Sequence, residues 1–418
     1  MAAGTFRLDI PPLKMLTSKE DLSMARAAYA RQPENSTLRF RLATSLTLLD
    51  HFDEALALLE AHPSEDLRDL FLLSTVLLNR ENKEDDLRAL AVCERALERS
   101  TTPKGRAHVR TQLAKAHHRL GHFETSKALL LQALEEYPGE KDAYKRLFRH
   151  LLEHEADPDA ALAFAEKAIA SGVVHARVLG SWVLALAKLG RLEEARRANG
   201  ADEFLVQLDP PPPMGWGSTE EFHAALAAEA LEHPDMRYER YGSASAQTWR
   251  LDEPALQRTK VFPQLQELIK REVEAFAATL TGNEHPFAKA LPAHATLRNW
   301  CVITEGQGYE TYHVHQNGWL SGVYYIHVQD HIANGTAQNG CIALGLPDFL
   351  VGEDVAAEFG ERLIRPRSGL MMMFPSHVYH RTYPHQGTGR RICYAFDIIP
   401  SGDTVADGLG KSEELASA

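Results

Sequence analysis

The sequence contains few cysteines and no long hydrophobic run. Its 418 residues include four cysteines, which are widely spaced and form no C-x-x-C pair: Cys93, Cys301, Cys341 and Cys393. This pattern excludes a disulfide scaffold and a zinc knuckle, and it is typical of reduced thiols in an intracellular protein. No segment reaches the roughly 18–20 apolar residues that a membrane helix needs. Because charged residues interrupt the apolar residues at the N-terminus, we expect no signal peptide and a cytoplasmic location.

The chain also lacks a surplus of positive charge. It carries 45 Lys and Arg against 57 Asp and Glu, a formal net charge of −12, whereas nucleic-acid binding needs a basic face. All of the excess negative charge lies in the second half, because residues 1–200 hold 29 basic and 29 acidic side chains. Glycine and proline are concentrated there too, with 33 of 48 in residues 201–418. The first half is therefore expected to be helical, and the second to contain strands and turns.

A sequence repeat with a period of about 35 residues runs through the first half. Each unit has a small or turn residue, then an aromatic residue or leucine, two polar residues and an alanine, as in LDHFDEALALLE and LGHFETSKALLLQAL. Equivalent positions are 35, 36, 35 and 34 residues apart: Phe52, Leu87, Phe123, Pro158 and Leu192. The small residue lets two antiparallel helices approach closely, so the pattern predicts stacked helix–turn–helix units. The second unit, with its RENKEDDLR turn, fits least well.

These units resemble the tetratricopeptide repeat over about residues 20–200, so the first domain is placed at 1–200. The resemblance implies a concave surface that binds a peptide or a protein partner. Self-association through the repeats and bracing of the next domain are the alternatives.

A Pro-rich linker and a second domain follow the repeats. Residues 201–217 include the DPPPP run, which cannot continue a helix and stiffens the connection. Helices are predicted between 218 and 280, the first capped by Ser218 and the second amphipathic over 262–280. From about 290 to 400, short β-branched or aromatic segments bounded by Gly, Pro or Asn indicate strands of a barrel or sandwich. The second domain is thus placed at 218–418.

Seven histidines lie among the predicted strands, and two of them form an H-x-H pair. His313 and His315 precede a strand, and residues i and i+2 of an extended chain point to one side about 6.5–7 Å apart. Two such imidazoles suit one metal ion, and a third ligand must come from a neighbouring strand. His380, which follows FPSHVY, is the expected third ligand, with His377 as the competing position. The remaining three are interpreted as surface or core residues: His327, His331 and His385.

One arginine is expected to bind an anion near these histidines. In RICYAFDII, Arg391, Cys393 and Ala395 alternate with bulky apolar residues, so one face of the strand is small and carries a guanidinium group. A permanently charged group on an interior face needs an anionic partner. Arg390 is the alternative, but its face would carry Ile392 and the other bulky side chains.

An H-x-ligand pair, a distal histidine 65 residues later and an arginine eleven residues further on resemble the layout of the iron(II)- and 2-oxoglutarate-dependent oxygenases. The segments NWCVITEGQGYETYHVHQNGWLSGVYYIHV, GCIALGLPD and GLMMMFPSHVYHRTYPHQGTGRRICYAFDIIP are similar to bacterial oxygenases of this type that carry N-terminal tetratricopeptide repeats. The similarity is strong over about 295–400. It implies a multidomain α+β chain: an N-terminal α-solenoid, then a double-stranded β-helix (jelly roll) with flanking helices.

The resemblance also implies roles for five residues. His313 and His380 match the two histidine ligands of the iron, and His315 stands where these oxygenases usually have a carboxylate. A three-histidine site would leave Fe(II) with a charge of +2, and the imidazole argues against halogenation. Arg391 matches the anchor of the far carboxylate of 2-oxoglutarate, and Tyr325 matches a position that often hydrogen-bonds it. A role for His315 outside the coordination sphere and a plain core position for Tyr325 are the alternatives.

The sequence therefore predicts a cytoplasmic Fe(II)- and 2-oxoglutarate-dependent dioxygenase. We expect it to use dioxygen to hydroxylate a C–H bond of a peptide or protein side chain, or of an amino-acid-like metabolite. No nucleic acid or membrane partner is expected. A cupin-like three-histidine dioxygenase that does not use 2-oxoglutarate is an alternative, although Trp319 and Leu320 stand where the cupin motif expects a glutamate. A non-catalytic interaction protein is the other alternative, and the intact histidines and arginine argue against it.

Overall fold

The computed structural model describes residues 6–401. Its contacts divide this part of the chain into two compact units, residues 16–156 and residues 6–15 together with 157–401. The second of these units begins again at Asp157, and Leu179 belongs to the same buried apolar cluster as Phe204 and Phe287.

Unit 16–156 consists of helices in which chain neighbours pack against one another. The helices are α1 (Ser18–Arg31), α2 (Ser36–Leu48), α3 (Phe52–Ala61), α4 (Leu67–Asn79), α5 (Lys83–Arg99), α6 (Pro103–Arg119), α7 (Phe123–Glu136) and α8 (Lys141–Arg149), which continues into a π-helical turn at His150–His154. Thr17 and Glu20 form a capping box at the start of α1. Fully buried alanines such as Ala43, Ala55 and Ala89 leave room for neighbouring helices to approach closely.

The predicted repeat positions coincide with helix starts in all but one case. Phe52 begins α3 and Phe123 begins α7. Leu87 does not begin a helix, because Asn82 caps α5 with its side chain and the helix therefore starts at Lys83. The side chain of Leu87 is half exposed, as expected for a residue that is out of register with the core.

The second unit contains helices and strands. Its helices are α9 (Pro158–Ala170), α10 (Ala176–Lys188), α11 (Leu192–Asn199), α12 (Ala201–Phe204), α13 (Thr219–Leu231), α14 (Phe262–Thr279), α15 (Pro286–Lys289), α16 (Asp330–Ala333), α17 (Asp348–Val351) and α18 (Glu353–Phe359). Its strands are β1 (Arg7–Asp9), β2 (Val206–Leu208), β3 (Arg237–Tyr238), β4 (Ser245–Asp252), β5 (His294–Glu310), β6 (Leu320–His327), β7 (Ile342–Leu344), β8 (Arg362–Ile364), β9 (Met371–Pro375), β10 (His380–Thr382) and β11 (Arg390–Pro400). Two of the predicted repeat positions, Pro158 and Leu192, begin α9 and α11.

The strands form two sheets. The large sheet has the order β2-β9-β6-β11-β5-β4-β3, with β1 added in parallel to the start of β5. The small sheet has the order β10-β7-β8, and all of its pairings are antiparallel. Two antiparallel sheets after a helical N-terminal half confirm the predicted α+β fold with a double-stranded β-helix.

The predicted linker is only partly an extended spacer. Val206–Leu208 forms the edge strand β2 and pairs with β9, and Ala201–Phe204 is a short helix. The segment from Asp209 to Pro213 has no regular structure. A strand of three residues is too short to show the alternation that predicts a strand. The pairing of β2 with β9 could therefore not be predicted from this proline-rich segment.

The large sheet has one face against helices and one face toward the small sheet. Alternate residues of β5 and β11, such as Ile303 and Phe396, pack with α14 in one apolar cluster. The predicted stripe of α14 is buried in that cluster: Leu265, Ile269, Val273 and Phe276. The other face, termed the inner face, shares a second cluster with Ile342, Leu344 and Ile364 of the small-sheet strands. The candidate site lies on this inner face.

All four cysteines are buried and free. Within residues 6–401, no helix combines the length and the apolar character that crossing a membrane requires.

Candidate active site

His313, His315 and His380 lie together at one end of the two sheets. One ring nitrogen from each lies within 4.8 Å of the others, which is close enough for all three to bind a single ion. The backbone fixes this arrangement. His313 and His380 form an isolated antiparallel bridge, with N–H to O distances of 3.0 and 3.1 Å, and the His315 N–H donates to the Ser376 carbonyl at 3.0 Å.

Each of the three imidazoles has an oxygen acceptor at Nδ1. His313 Nδ1 is 2.7 Å from the Thr311 carbonyl, and His380 Nδ1 is 3.0 Å from the Val378 carbonyl. A carbonyl oxygen can only accept, so Nδ1 carries the proton in both rings and Nε2 carries a lone pair. This is the arrangement of metal-binding histidines, whose second nitrogen donates to a carbonyl or carboxylate.

His315 has a carboxylate partner instead. Its Nδ1 donates to Asp397 Oδ1 at 2.6 Å, and the Ser321 hydroxyl donates to the same oxygen at 2.7 Å. Burial alone would raise the pKa of Asp397, but the charge of His315 and these hydrogen bonds outweigh it and lower that pKa. Asp397 therefore holds a negative charge one hydrogen bond away from the His315 ring.

The Nε2 atoms of His315 and His380 are 3.2 Å apart. Two lone pairs facing each other at this distance would be unfavourable, so the two nitrogens are placed to share a cation, either a proton or a metal ion. Burial, followed by the neighbouring His313 and His315, lowers the pKa of His380 well below its ordinary value. His380 Nε2 therefore keeps its lone pair, and a donor set of three imidazoles fits a divalent transition metal.

Arg391 and Tyr325 lie on the inner face, away from the histidines along the strands. Arg391 is 2% exposed; its Nη1 donates to the Gly340 carbonyl at 2.9 Å, and its Nε has no hydrogen-bond partner within residues 6–401. Thr304 lies opposite Arg391 in the β5–β11 pairing, and its buried hydroxyl also has no partner within that range. Tyr325 lies opposite Cys393, so it shares the face of Arg391. The unsatisfied Nε–H of the buried guanidinium and the unsatisfied hydroxyl beside it fit a carboxylate ligand.

The competing positions are elsewhere. His377 is buried, and its Nε2 is 3.2 Å from the Ala198 carbonyl, outside the histidine group. Arg390 is about half exposed and pairs with Glu305. Of the other histidines, His327 and His331 are exposed, whereas His385 is buried with its Nε2 3.3 Å from the Thr304 carbonyl.

Three residues of the site were missed from the sequence. Asp397 continues the alternation of Arg391, Cys393 and Ala395, so that pattern alone could have indicated it. Trp300, expected only to pack, stacks on His315 with ring centroids 5.5 Å apart. Glu310 lies at the end of β5; the charges of the nearby histidines and arginines lower its pKa although burial opposes them. No sequence signal indicated Glu310.

Two facing antiparallel sheets with a convergent histidine triad define the class as a metal-binding double-stranded β-helix. Residues 298–397 match the family described as "Putative 2OG-Fe(II) oxygenase". Residues 298–397 therefore carry an oxygenase domain of this type, and the cofactors of the matched family are Fe(II) and 2-oxoglutarate. No curated protein sequence matches the chain.

Solved structures are similar to separate parts of the chain. A Pseudomonas putida prolyl-4-hydroxylase aligns with 53% of this chain and 100% of its own, at 15% identity and a TM-score of 0.32. A 2OG-Fe(II) oxygenase family oxidoreductase from Burkholderia pseudomallei aligns with 48% of this chain and 87% of its own, at 12% identity and a TM-score of 0.31. PilW, a type IV pilus biogenesis factor, aligns with 45% and 86%, at 17% identity and a TM-score of 0.39. None of these alignments bears on the substrate.

Proposed function

We propose that the protein is a dioxygenase whose iron is held by His313, His315 and His380 and whose 2-oxoglutarate is anchored by Arg391. The reaction proposed is hydroxylation of a C–H bond in a peptide or protein side chain, or in an amino-acid-like metabolite. The observation that carries this proposal is the pair of facing Nε2 atoms of His315 and His380, with each Nδ1 committed to an oxygen.

The protein groups prepare the site in three ways. The Nδ1 hydrogen bonds of the three histidines fix the tautomer and the ring orientation, so that each Nε2 is free to bind the metal without losing a proton. Asp397 supplies the negative charge that a coordinating carboxylate would otherwise provide, one hydrogen bond further out. Because the negative charge lies outside the coordination sphere, the metal attracts a dianionic co-substrate more strongly than a metal that is bound directly by a carboxylate.

The groups around Arg391 are suited to the far carboxylate of 2-oxoglutarate. Arg391 supplies a charged donor that the protein satisfies only in part, and the Thr304 hydroxyl beside it supplies a second donor. Tyr325 is proposed as a third donor. Burial raises the pKa of its phenol, although Arg391 opposes the effect, so the hydroxyl keeps its proton and can donate. When bound, Fe(II) and 2-oxoglutarate would supply the chemistry that activates dioxygen, which is the oxidant of the reaction.

Anaerobic titration of the Fe(II) protein with 2-oxoglutarate tests the proposal. We expect the weak visible band of a chelated keto-acid in the natural protein and its loss in the Arg391→Ala variant. Arg390→Gln is a matched control, because it removes the neighbouring guanidinium from the exposed face of the same strand. A protein that binds neither Fe(II) nor 2-oxoglutarate, or an Arg391→Ala variant that keeps the band, would contradict the assignment.

The helical repeats are proposed to bind the peptide substrate or a protein partner. A cavity of about 270 Å³ in unit 16–156 is lined by Leu59, Leu70 and Leu73 together with Asp69 and Arg95, which gives it apolar walls and charges of both signs. The test compares succinate formation from 2-oxoglutarate with a mixed peptide digest and with a pool of free amino acids. If peptides are the substrate, Leu73→Glu should reduce stimulation by the digest. Equal stimulation by the digest in that variant would contradict peptide binding at this cavity, and stimulation by free amino acids alone would argue for a small metabolite.

A further inference from the structure

A group of arginines lies on the inner face of the large sheet, at its edge strands β3 and β4. Arg237 and Arg250 are partners across these strands, and Arg240 lies in the connection between them. All three guanidinium groups contact the carboxylate of Asp252, at 2.8 Å for Arg237 and Arg250 and 3.0 Å for Arg240. Residues 201–418 hold only 16 basic side chains against 28 acidic ones, so three arginines on one carboxylate are a local excess of positive charge.

Arg240 is the arginine that Asp252 satisfies least well. Its buried Nε is near Asp252 Oδ2 but makes no well-directed hydrogen bond within residues 6–401. Burial lowers the pKa of Arg240; Asp252 opposes this effect, and the guanidinium groups of Arg250 and Arg237 add to it. A further anion would reduce this repulsion. About a quarter of each side chain, Arg240 and Asp252, is exposed, so an anion can reach them from solvent.

One aromatic ring contacts both this arginine group and the proposed iron site. The ring centroid of Trp300 is 4.6 Å from the Cζ of Arg250 and 5.5 Å from the ring centroid of His315. Asp252 is also the cross-strand partner of Trp300. A molecule bound by Arg240 and Arg250 would therefore lie along Trp300, within reach of the reacting centre.

Glu310 is the other carboxylate that acts on Arg250. Its Oε1 accepts from the Ser245 hydroxyl at 3.2 Å, and the charges of His313, Arg250, His315 and Arg391 lower its pKa although burial opposes them. The negative charge of Glu310 therefore acts on the histidines and on Arg391 as well as on Arg250. Asp252 remains the carboxylate that contacts Arg240.

We propose that Arg240 and Arg250, beside Trp300, form a subsite that binds an anionic group of the substrate, either a carboxylate or a phosphate. The inference rests on the proposed function, because the subsite gives specificity only beside a bound metal and 2-oxoglutarate. A guanidinium group binds either anion through two parallel hydrogen bonds. Trp300 would contact the apolar part of the same molecule and orient it toward the histidines.

Inorganic phosphate and acetate are the probes that test this subsite. The full chain is loaded with Mn(II) in place of Fe(II) and with saturating 2-oxoglutarate, so that the Arg391 site is filled. Paramagnetic relaxation of the phosphate ³¹P nucleus and of the carboxyl group of ¹³C-labelled acetate then reports binding close to the metal. We expect a saturable enhancement, and the stronger of the two probes identifies the anionic group of the substrate.

Matched variants assign the binding to the arginine group. Arg240→Gln should weaken binding of the preferred probe roughly 10- to 100-fold, the value of one or two charge-assisted hydrogen bonds. Arg250→Lys, which keeps the charge but loses the planar group, should weaken it as well without the risk of unfolding that Arg250→Gln carries. Arg390→Gln should leave it unchanged. Thermal melting of each variant confirms that the fold is intact.

Arg391→Ala separates a failure of this inference from a failure of the proposed function. It should abolish 2-oxoglutarate binding and leave calorimetric binding of the probe to the metal-free chain in place, whereas Arg240→Gln should leave 2-oxoglutarate binding unchanged and weaken binding of the probe. Absence of saturable binding by either probe, or unchanged binding in Arg240→Gln, overturns the subsite. If the chain binds no Mn(II) or no 2-oxoglutarate, the proposed function fails. Calorimetry with the metal-free chain then decides the subsite by the same Arg240→Gln comparison.

Discussion

The hydrogen bond between His315 and Asp397 makes metal affinity dependent on a residue that is not itself proposed as a ligand. In Asp397→Asn, the oxygen that accepts from His315 Nδ1 at 2.6 Å and from Ser321 at 2.7 Å loses its charge. The side chain keeps its volume, so the change is mainly electrostatic. The amide can also turn its NH₂ group toward His315, which would favour the wrong tautomer of the ring.

The expected loss lies between two limits. A carboxylate about 6–7 Å from a divalent ion, at an effective dielectric constant near 20, contributes at most about 5 kcal/mol. Mutations of groups that orient metal-binding histidines usually raise the metal Kd about 10- to 100-fold, or roughly 1.4–2.7 kcal/mol. We expect the smaller range, because asparagine retains one acceptor and water relaxes around the neutral group.

Anaerobic competition with a chelator measures the Kd for Fe(II) directly. The natural chain is compared with Asp397→Asn, with His315→Asn and with Glu305→Gln, which neutralises an exposed carboxylate on β5 of the same sheet. His315→Asn should weaken binding more than Asp397→Asn, and Glu305→Gln should change it less than twofold. A folded Asp397→Asn variant with a Kd within twofold of the natural chain would refute the proposed role of Asp397. If His315→Asn also binds normally, then His315 is not a ligand.

Three further outcomes follow from particular side chains. Thr304→Val removes a buried hydroxyl that has no partner within residues 6–401, so calorimetry should show about 5- to 15-fold weaker 2-oxoglutarate binding, whereas the melting temperature should not fall; unchanged affinity would exclude Thr304 from the co-substrate site. Burial lowers the pKa of His377 to about 3, against about 6.5 when unfolded, so this group gives full stability above pH 6.5 and loses it as the pH falls toward 3. Urea denaturation gives the fall in the free energy of unfolding between pH 7.5 and pH 5, and this fall should be about 2 kcal/mol smaller in His377→Asn than in the natural chain. An equal fall in both proteins would contradict the assignment. In Gly322→Ala, the new Cβ would lie 2.3 Å from Phe396 Cζ and 2.7 Å from the Met372 carbonyl, so a thermal melt should show a loss of about 1–3 kcal/mol or more; an unchanged midpoint would mean that the strands shift freely.

The local sequence predicted those features that depend on a repeating pattern. The alternation of small and bulky residues in β11 indicated that Arg391 faces inward, and it lies on the inner face. The period of about 35 residues placed the starts of α3, α7, α9 and α11. The H-x-H spacing predicted that His313 and His315 share a site, and the structure brings their rings to 5.1 Å between centroids.

Features that depend on distant contacts could not be predicted in this way. The carboxylate partner of His315 lies 82 residues away in the sequence, and Asp397 reaches the Nδ1 of that ring from β11, where it lies opposite Ser321 of β6. The strands β1 and β2 are three residues long, so they show no period of their own and exist because a neighbouring strand offers free hydrogen-bonding groups. The repeat position Leu87 does not begin a helix, because the side chain of Asn82 caps α5 and the helix starts at Lys83.

Residues 16–156 are an insertion within the sheet-bearing unit, because β1 precedes them in the sequence and pairs with β5, which follows them. Residues 6–15 belong to the same unit as residues 157–401, so the chain leaves the sheet-bearing unit after Met15 and returns to it at Asp157. Removing the repeats by cutting the chain at a single point would therefore also remove a strand from the sheet that carries β5. A shortened protein that keeps its large sheet intact has to retain residues 6–15 and rejoin them to residue 157. During synthesis, β1 is made nearly 300 residues before β5, so it cannot pair in the sheet until β5 has been synthesised.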